Sequence, residues 1–197
     1  HRDLHSFPTR RSSDLANTKS SEQKSYLFRS IRTVRDFPKP GILFYDITTL
    51  VGDREAFNFL LDHLAERYAD YGLDYIVGIE SRGFIFAAAL AARLRVAFVP
   101  IRKPKKLPYI TISQKYSLEY GFDQVEMHVD AFSGVQDAKV LLIDDLIATG
   151  GTARAALDLI AQTQAKCVEA CFLLNLRELN DLGEFSRRTN VYCVLEA

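Results

Sequence analysis

The chain has 197 residues, 48% of them hydrophobic, which is enough apolar material to bury the core of a single domain. Lysine plus arginine and aspartate plus glutamate each number 25, so the formal net charge of zero gives no indication of a nucleic-acid partner or an acidic membrane surface. No apolar run approaches the length of about 18 residues that a transmembrane helix requires.

The first 20 residues have no apolar periodicity and lack the apolar stretch of a secretory signal. We therefore expect a disordered or non-native flank over residues 1–20 and a single domain over residues 21–197. Ser20 and Gln23 have the spacing of a capping box, which predicts that a helix begins there. The apolar face of this helix, which is expected to end before Pro38, consists of Leu27, Ile31 and Val34.

From Gly52 onward, helical patterns alternate with short apolar runs of branched residues, which indicate strands buried on both faces. This alternation predicts an α/β fold with a central parallel sheet flanked by helices and joined by right-handed crossovers. The predicted elements are a helix over residues 57–68, a strand over 75–79, a helix over 84–94, a strand over 96–101, a strand over 140–143, a helix over 153–164, and strands over 167–174 and 191–195.

The segment from Arg102 to Gly121 has no periodic pattern. A polar segment of this length inside a compact domain predicts a functional lid or a disordered loop. The alternation from Val125 to Val129 then predicts an edge strand.

The most informative part of the sequence is KVLLIDDLIATGGT, residues 139–152. A buried strand ends there at Asp144 and Asp145, and a Gly-rich loop leads into a helix whose first N–H groups attract an anion. The loop lacks the Lys-Ser or Lys-Thr pair and the spacing of the familiar nucleotide loops, and its carboxylates would repel a polyphosphate. The pattern predicts one phosphate in the loop and a ribose against the aspartates; the alternative is an ordinary strand-turn-helix connection.

Two further groups of residues follow strand ends at the same predicted edge of the sheet, where ligands of open parallel sheets bind. Ser81, Arg82 and Gly83 offer backbone donors and a guanidinium to an anion, although a solvated turn is the alternative. The basic run at 102–106 is on its own no more than a solvated charged face.

The motif IDDLIATGGT resembles the phosphoribosyl pyrophosphate (PRPP) loop of the type I phosphoribosyltransferases. Other segments resemble the adenine phosphoribosyltransferases of that family: FPKPGILFYDIT at 37–48, GIESRGF at 78–84, PIRKPKKLP at 100–108 and YSLEYG at 116–121. The resemblance implies the type I fold, with a small hood and a flexible catalytic loop. It also implies transfer of the 5-phosphoribosyl group from PRPP to adenine, giving AMP and pyrophosphate in purine salvage.

Functional residues are implied by the same resemblance. Those implied for the ribose and its phosphate are Asp144, Asp145, Ala148, Thr149, Gly150, Gly151 and Thr152. Those implied for the pyrophosphate are Ser81, Arg82, Arg102, Lys103 and Lys106. The implied catalytic residues are Arg82, which neutralises leaving charge, and Glu119, a general acid or base on the closing loop. The implied adenine contacts are Leu43, Phe44 and Leu176.

The alternative interpretation is that Glu119 is an ordinary surface charge and that Phe44 and Leu176 are ordinary core residues. Two positions depart from the family pattern: Tyr45 stands where arginine is common, and Lys105 where glycine is frequent.

The resemblance further implies Mg²⁺, held through PRPP without a dedicated protein ligand, and a cytoplasmic homodimer. Three scattered cysteines in apolar segments predict buried free thiols in a reducing compartment rather than a metal site. Two alternatives stay open: a PRPP-binding regulator without turnover, and a phosphoribosyltransferase for another purine base.

Overall fold

The structure is a computed structural model that describes residues 12–118, 121–180 and 182–197, with the backbone alone for residues 12–19. The chain divides into two compact units, residues 1–57 and residues 58–197, and each is described by itself. Within the described residues, no helix is long and apolar enough to span a bilayer.

The first unit contains a long helix and a two-stranded antiparallel sheet. Its elements are α1 (Ser12–Arg29), β1 (Arg32–Arg35), β2 (Leu43–Asp46), α2 (Thr48–Gly52) and the start of α3 (Arg54–Tyr68). Part of the segment assigned to the flank, residues 12–20, forms the first half of α1.

The predicted first helix is wrong at both of its ends. The helix begins at Ser12, so Ser20 lies inside it and cannot act as its cap. The helix ends at Arg29, and Val34 pairs with Phe44 in the β1–β2 ladder. The ladder is reinforced by Arg32, whose guanidinium donates to the Asp46 carboxylate at 2.5 Å. Strand pairing therefore prevails over the weak helical spacing of the apolar residues.

The second unit is built on a five-stranded parallel sheet with the strand order β4-β3-β7-β8-β9. Its strands and helices are β3 (Tyr75–Ile79), α4 (Arg82–Leu94), β4 (Ala97–Ile101), β5 (Thr111–Ser117), β6 (Phe122–His128), β7 (Lys139–Ile147), α5 (Gly151–Gln162), β8 (Lys166–Asn175), α6 (Leu182–Ser186) and β9 (Asn190–Glu196), with a 3₁₀ turn at Arg177–Leu179. The predicted α/β fold with a central parallel sheet is confirmed.

The sheet is covered by helices because its central strands are apolar on both faces. Val140 and Leu142 of β7 pack in the cluster that contains Ala156 and Ile160 of α5. The alternate residue Ile143 lines a small cavity on the other side of the sheet, together with Leu64 of α3 and Phe86 of α4. This two-sided burial explains the unbroken apolar runs in the sequence.

The described part of the segment at 102–121 contains a strand that its sequence does not predict. Its second half forms β5, which pairs with β6 as an antiparallel hairpin from Thr111 opposite His128 to Ser117 opposite Phe122. One face of β5 is exposed, and its half-buried face carries Gln114 between Ile112 and Tyr116, which interrupts the apolar alternation. The edge strand predicted at 125–129 is the second half of this hairpin.

Candidate active site

A cavity of about 350 Å³ opens at the carboxyl ends of β3 and β7 in the second unit. Its wall brings together Ser81 and Arg82 at the start of α4, Lys103 just after β4, the acidic pair on β7, and the loop residues Ala148 to Thr152. Most of the residues predicted for the ribose, phosphate and pyrophosphate thus share one cavity. Its size is near the lower end of the range for small-molecule sites.

The acidic pair is held in place by the backbone and by Arg82. Strand β7 continues to Ile147, so Asp144 and Asp145 lie within the strand, and the prediction that it ends at Ile143 is wrong. Asp145 is buried, and its carboxylate accepts a hydrogen bond from Nε of Arg82. The N–H of Asp145 donates to Oδ1 of Asp144 at 2.8 Å. The two carboxylates therefore have different partners and different environments.

Gly83 allows α4 to begin directly against the acidic pair. A Cβ atom at this position would lie 2.8 Å from Oδ1 of Asp144 and 3.0 Å from the carbonyl oxygen of Ile143. Burial and the neighbouring charge of Asp145 raise the pKa of Asp144 well above its ordinary value.

The loop between β7 and α5 has the geometry of an anion cradle. Gly150 adopts a φ of 79°, a left-handed conformation that favours glycine, and it immediately precedes the first helical residue, Gly151. The N–H groups of the first turn of α5 have no partner further back in the helix, so they are available to an anion. Arg154 donates to the carbonyl oxygen of Thr149 at 3.1 Å and ties the loop to the helix.

Glu80 is a wall residue that the site prediction omitted. Its carboxylate accepts hydrogen bonds from Nε and Nη2 of Arg102, at 3.1 and 3.3 Å, and from the N–H of Lys103 at 2.9 Å. Burial raises the pKa of Glu80, but these hydrogen bonds outweigh burial and lower it overall. Its position directly before Ser81 in GIESRGF was the available signal. The Glu80–Ser81 peptide bond is cis.

Two of the predicted pyrophosphate residues lie outside the cavity wall. Arg102 is directed to Glu80, and its Nη1 also donates to the carbonyl oxygen of Lys106 at 3.1 Å. Lys106 thus contacts Arg102 through its backbone. In the sequence, Arg102 directly precedes Lys103, which lines the cavity, and Lys106 follows it by three residues.

The residues predicted for the base have different locations. Leu176 follows β8, and its N–H donates to the carbonyl oxygen of Ile147 at 3.0 Å, which brings it to the edge of the sheet where the phosphate loop begins. Leu43 and Phe44 belong to the first unit, where the Phe44 ring meets Phe37 edge-on at 5.1 Å. Glu119 lies outside the described residues.

Two of the three carboxylates in the cavity wall, those of Glu80 and Asp145, are engaged by arginines. Across the part of the chain that the structure describes, no three His, Cys, Asp or Glu residues are grouped to hold an ion. All three cysteines, at 167, 171 and 193, are free, and burial raises the pKa of the Cys171 thiol to about 12.

Comparison with known proteins gives one family. The family model for the phosphoribosyl transferase domain matches residues 51–186. The adenine phosphoribosyltransferase of Campylobacter curvus is 68% identical over 177 residues, which cover 90% of this chain and 97% of the relative. That of Campylobacter jejuni subsp. jejuni serotype O:23/36 is 60% identical with the same coverage.

Solved structures agree with the sequence relatives. The adenine phosphoribosyltransferase of Thermoanaerobacter pseudethanolicus has a TM-score of 0.83 at 39% identity, covering 88% of this chain and 99% of that one. The Saccharomyces cerevisiae adenine phosphoribosyltransferase, in complex with D-2,5-dideoxy-2,5-imino-altritol 1,6-bisphosphate and adenine, has a TM-score of 0.81 at 36% identity, with coverage of 89% and 99%.

Proposed function

The chain belongs to the phosphoribosyl transferase domain family, and from that premise we propose that it is an enzyme that transfers the 5-phosphoribosyl group of PRPP to adenine. The products are AMP and pyrophosphate, and the reaction serves purine salvage. The observation that carries the proposal is the cavity that joins an acidic pair, a glycine loop and two cations within one wall. A sugar carrying a phosphate at one end and a diphosphate at the other matches these three features.

The ribose phosphate is held by the β7–α5 loop. The 5′-phosphate accepts hydrogen bonds from the backbone N–H groups of residues 148–152 and from the hydroxyls of Thr149 and Thr152. The ribose hydroxyls donate to Asp144 and Asp145. Because these groups are attached to one rigid strand and the start of one helix, the sugar is oriented before the reaction begins.

The pyrophosphate is neutralised by Arg82 and Lys103, assisted by Ser81, Arg102 and Lys106. Arg82 donates to the carboxylate of Asp145. Arrival of the diphosphate gives Arg82 a second anionic partner, and the charge that develops on the leaving group is stabilised in the transition state.

The reaction breaks the bond between C1 of the ribose and the pyrophosphate oxygen and forms a bond between C1 and a purine nitrogen. The proton of that nitrogen passes to Glu119, which acts as general base with an effect of about a hundredfold or more. Closure of the loop that carries Glu119 excludes water from the oxocarbenium-like ribose. Leu43, Phe44 and Leu176 contact the adenine ring.

Magnesium fits the donor set of the cavity. Glu80, Asp144 and Asp145 present carboxylate oxygens, the ligand type that Mg²⁺ prefers. Because arginines already engage Glu80 and Asp145, Mg²⁺ would be held mainly through PRPP, and Asp144 and Asp145 would act on it through the ribose hydroxyls rather than as dedicated ligands. When bound, Mg²⁺ supplies charge neutralisation of the diphosphate. The enzyme acts as a cytoplasmic homodimer.

The test is AMP formation by the purified chain with Mg²⁺, PRPP and adenine, run in parallel with guanine and hypoxanthine. Adenine is expected to be consumed much faster than the other two bases. Glu119→Gln should reduce turnover at least about a hundredfold while PRPP binding changes little. The matched control is Glu184→Gln, an exposed glutamate of α6, which should behave as the unaltered enzyme. PRPP binding without consumption of any base would instead identify a regulator.

A further inference from the structure

Lys103 is held by two side chains of the β5–β6 hairpin. Its ammonium donates to the carboxylate of Asp123 and to the hydroxyl of Tyr116, the latter at 3.0 Å. The Tyr116 hydroxyl in turn donates to Oδ2 of Asp123 at 2.9 Å. The Lys103 ammonium, the Tyr116 hydroxyl and the Asp123 carboxylate therefore form a closed ring of hydrogen bonds.

The ring supports Lys103 from behind the cavity. Lys103 is part of the cavity wall, whereas neither Asp123 nor Tyr116 lines it. Asp123 thus fixes the ammonium without occupying the space of a ligand. An ammonium carries three N–H donors, and the two hairpin side chains use two of them.

The hairpin is also packed against the phosphate loop. A Cβ atom at Gly151 would lie 3.2 Å from Cδ2 of Tyr116 and 3.6 Å from the carbonyl oxygen of Ser117. The Tyr116 ring consequently rests on the first turn of α5, next to the residues that receive the phosphate. One side chain contacts both the loop and the lysine.

We propose that Asp123 and Tyr116 are positioning residues that hold the Lys103 ammonium for the diphosphate of the substrate. The inference rests on the proposed function. Lysine has a flexible four-carbon stem, and fixing its ammonium before binding removes an entropic penalty from the binding step. Burial lowers the pKa of Lys103, but the hydrogen bonds with Asp123 and Tyr116 outweigh it and raise the pKa, so the side chain stays charged.

The first experiment compares PRPP kinetics of the unaltered enzyme and Asp123→Asn at saturating adenine. The KM for PRPP should rise about tenfold, the equivalent of one hydrogen bond between charged groups. The kcat at saturating PRPP and the KM for adenine should change less than about twofold, because the geometry of the bound state is restored once the diphosphate holds the lysine. Tyr116→Phe removes a weaker contact, so its KM for PRPP should rise about threefold.

Two controls separate positioning from a general loss of structure. Glu126→Gln alters a carboxylate on the same strand, β6, that accepts from the N–H of Lys105 and not from Lys103, and it should leave the KM for PRPP unchanged. In a Lys103→Ala background, Asp123→Asn should have no further effect, because its partner is already absent.

Calorimetric titration with pyrophosphate and Mg²⁺ gives a readout that does not require turnover. A loss of affinity of about tenfold in Asp123→Asn supports the inference whichever base the enzyme accepts. An unchanged pyrophosphate affinity, or an equal loss in the Lys103→Ala background, would overturn it while leaving the transferase function intact. Failure of the unaltered chain to form AMP would instead refute the proposed function.

Discussion

The close approach of α4 to β7 at Gly83 predicts a specific defect for Gly83→Ala. The added methyl group would lie 3.0 Å from the carbonyl oxygen of Ile143 and 3.2 Å from Cα of Asp144. Both are backbone atoms of a buried strand, so neither can rotate away. Since ordinary contact begins at 3.4 Å, the start of α4 has to move by about 0.4 Å relative to β7.

The size of the effect follows from two opposing contributions. Overpacking a tight interface destabilises the folded state by about 1–3 kcal/mol. Replacing glycine by alanine within a helix stabilises it by up to about 1 kcal/mol. The net loss in the free energy of unfolding should be about 1–2 kcal/mol. For a chain of this length, that loss lowers the Tm by about 2–8 °C.

Gly52→Ala is the matched control, because Gly52 also lies in a helix and a methyl group there meets no atom within 4 Å. Its stability should be unchanged or slightly higher. Both variants are compared by urea and thermal unfolding followed by circular dichroism, together with the KM for PRPP, which should rise only in Gly83→Ala because Asp144 is displaced. Equal stability of the two variants would refute the steric reasoning.

Two further predictions concern buried carboxylates. Glu169 is buried and accepts hydrogen bonds from Arg67 at 2.9 and 3.0 Å and from Tyr68 at 2.7 Å. Glu169→Ala leaves the arginine without its carboxylate and should lower the free energy of unfolding, measured in urea, by about 3 kcal/mol. A loss below about 1 kcal/mol would contradict this prediction. Burial and Asp145 raise the pKa of Asp144 above 3.8, so the folded state binds the extra proton and stability falls as the pH rises past that value. Asp144→Asn removes this slope, and its stability relative to the unaltered chain should increase as the pH rises above 3.8; a difference that is independent of pH would count against it.

Much of the second unit is predictable from sequence because its strands are buried on both faces. Runs such as Val140 to Ile143 have no other simple explanation, and the parallel order of the sheet follows from the alternation with helices. Strand β5 escaped prediction because one of its faces is exposed and Gln114 interrupts the apolar residues of the other. The sequence predicts a helix at Val34 because its spacing from Leu27 and Ile31 fits a helical face. Its pairing with Phe44 instead depends on residues that follow the turn at Pro38 and Pro40.

The site was predictable to the extent that its residues are local in sequence. The loop and the acidic pair lie within one motif and reach the cavity together. The supporting residues were missed because their partners are distant: Asp123 acts on a lysine 20 residues earlier, and Glu80 on an arginine 22 residues later. Asp123 has no sequence pattern of its own, whereas Glu80 lies directly before Ser81 in GIESRGF. In both cases only the folded chain shows which cation the carboxylate holds.

These supporting pairs determine how the diphosphate binds. Arg82 is paired with Asp145, Arg102 with Glu80, and Lys103 with Asp123. An incoming diphosphate therefore meets cations that already have anionic partners, and its binding energy is the difference between two sets of ion pairs. Pairing avoids the penalty of burying uncompensated charge and fixes each cation in direction. The affinity for the diphosphate should accordingly depend more on how the carboxylates orient the cations than on the number of positive charges. Asp123→Asn removes a negative charge and should nevertheless weaken the binding of this anion.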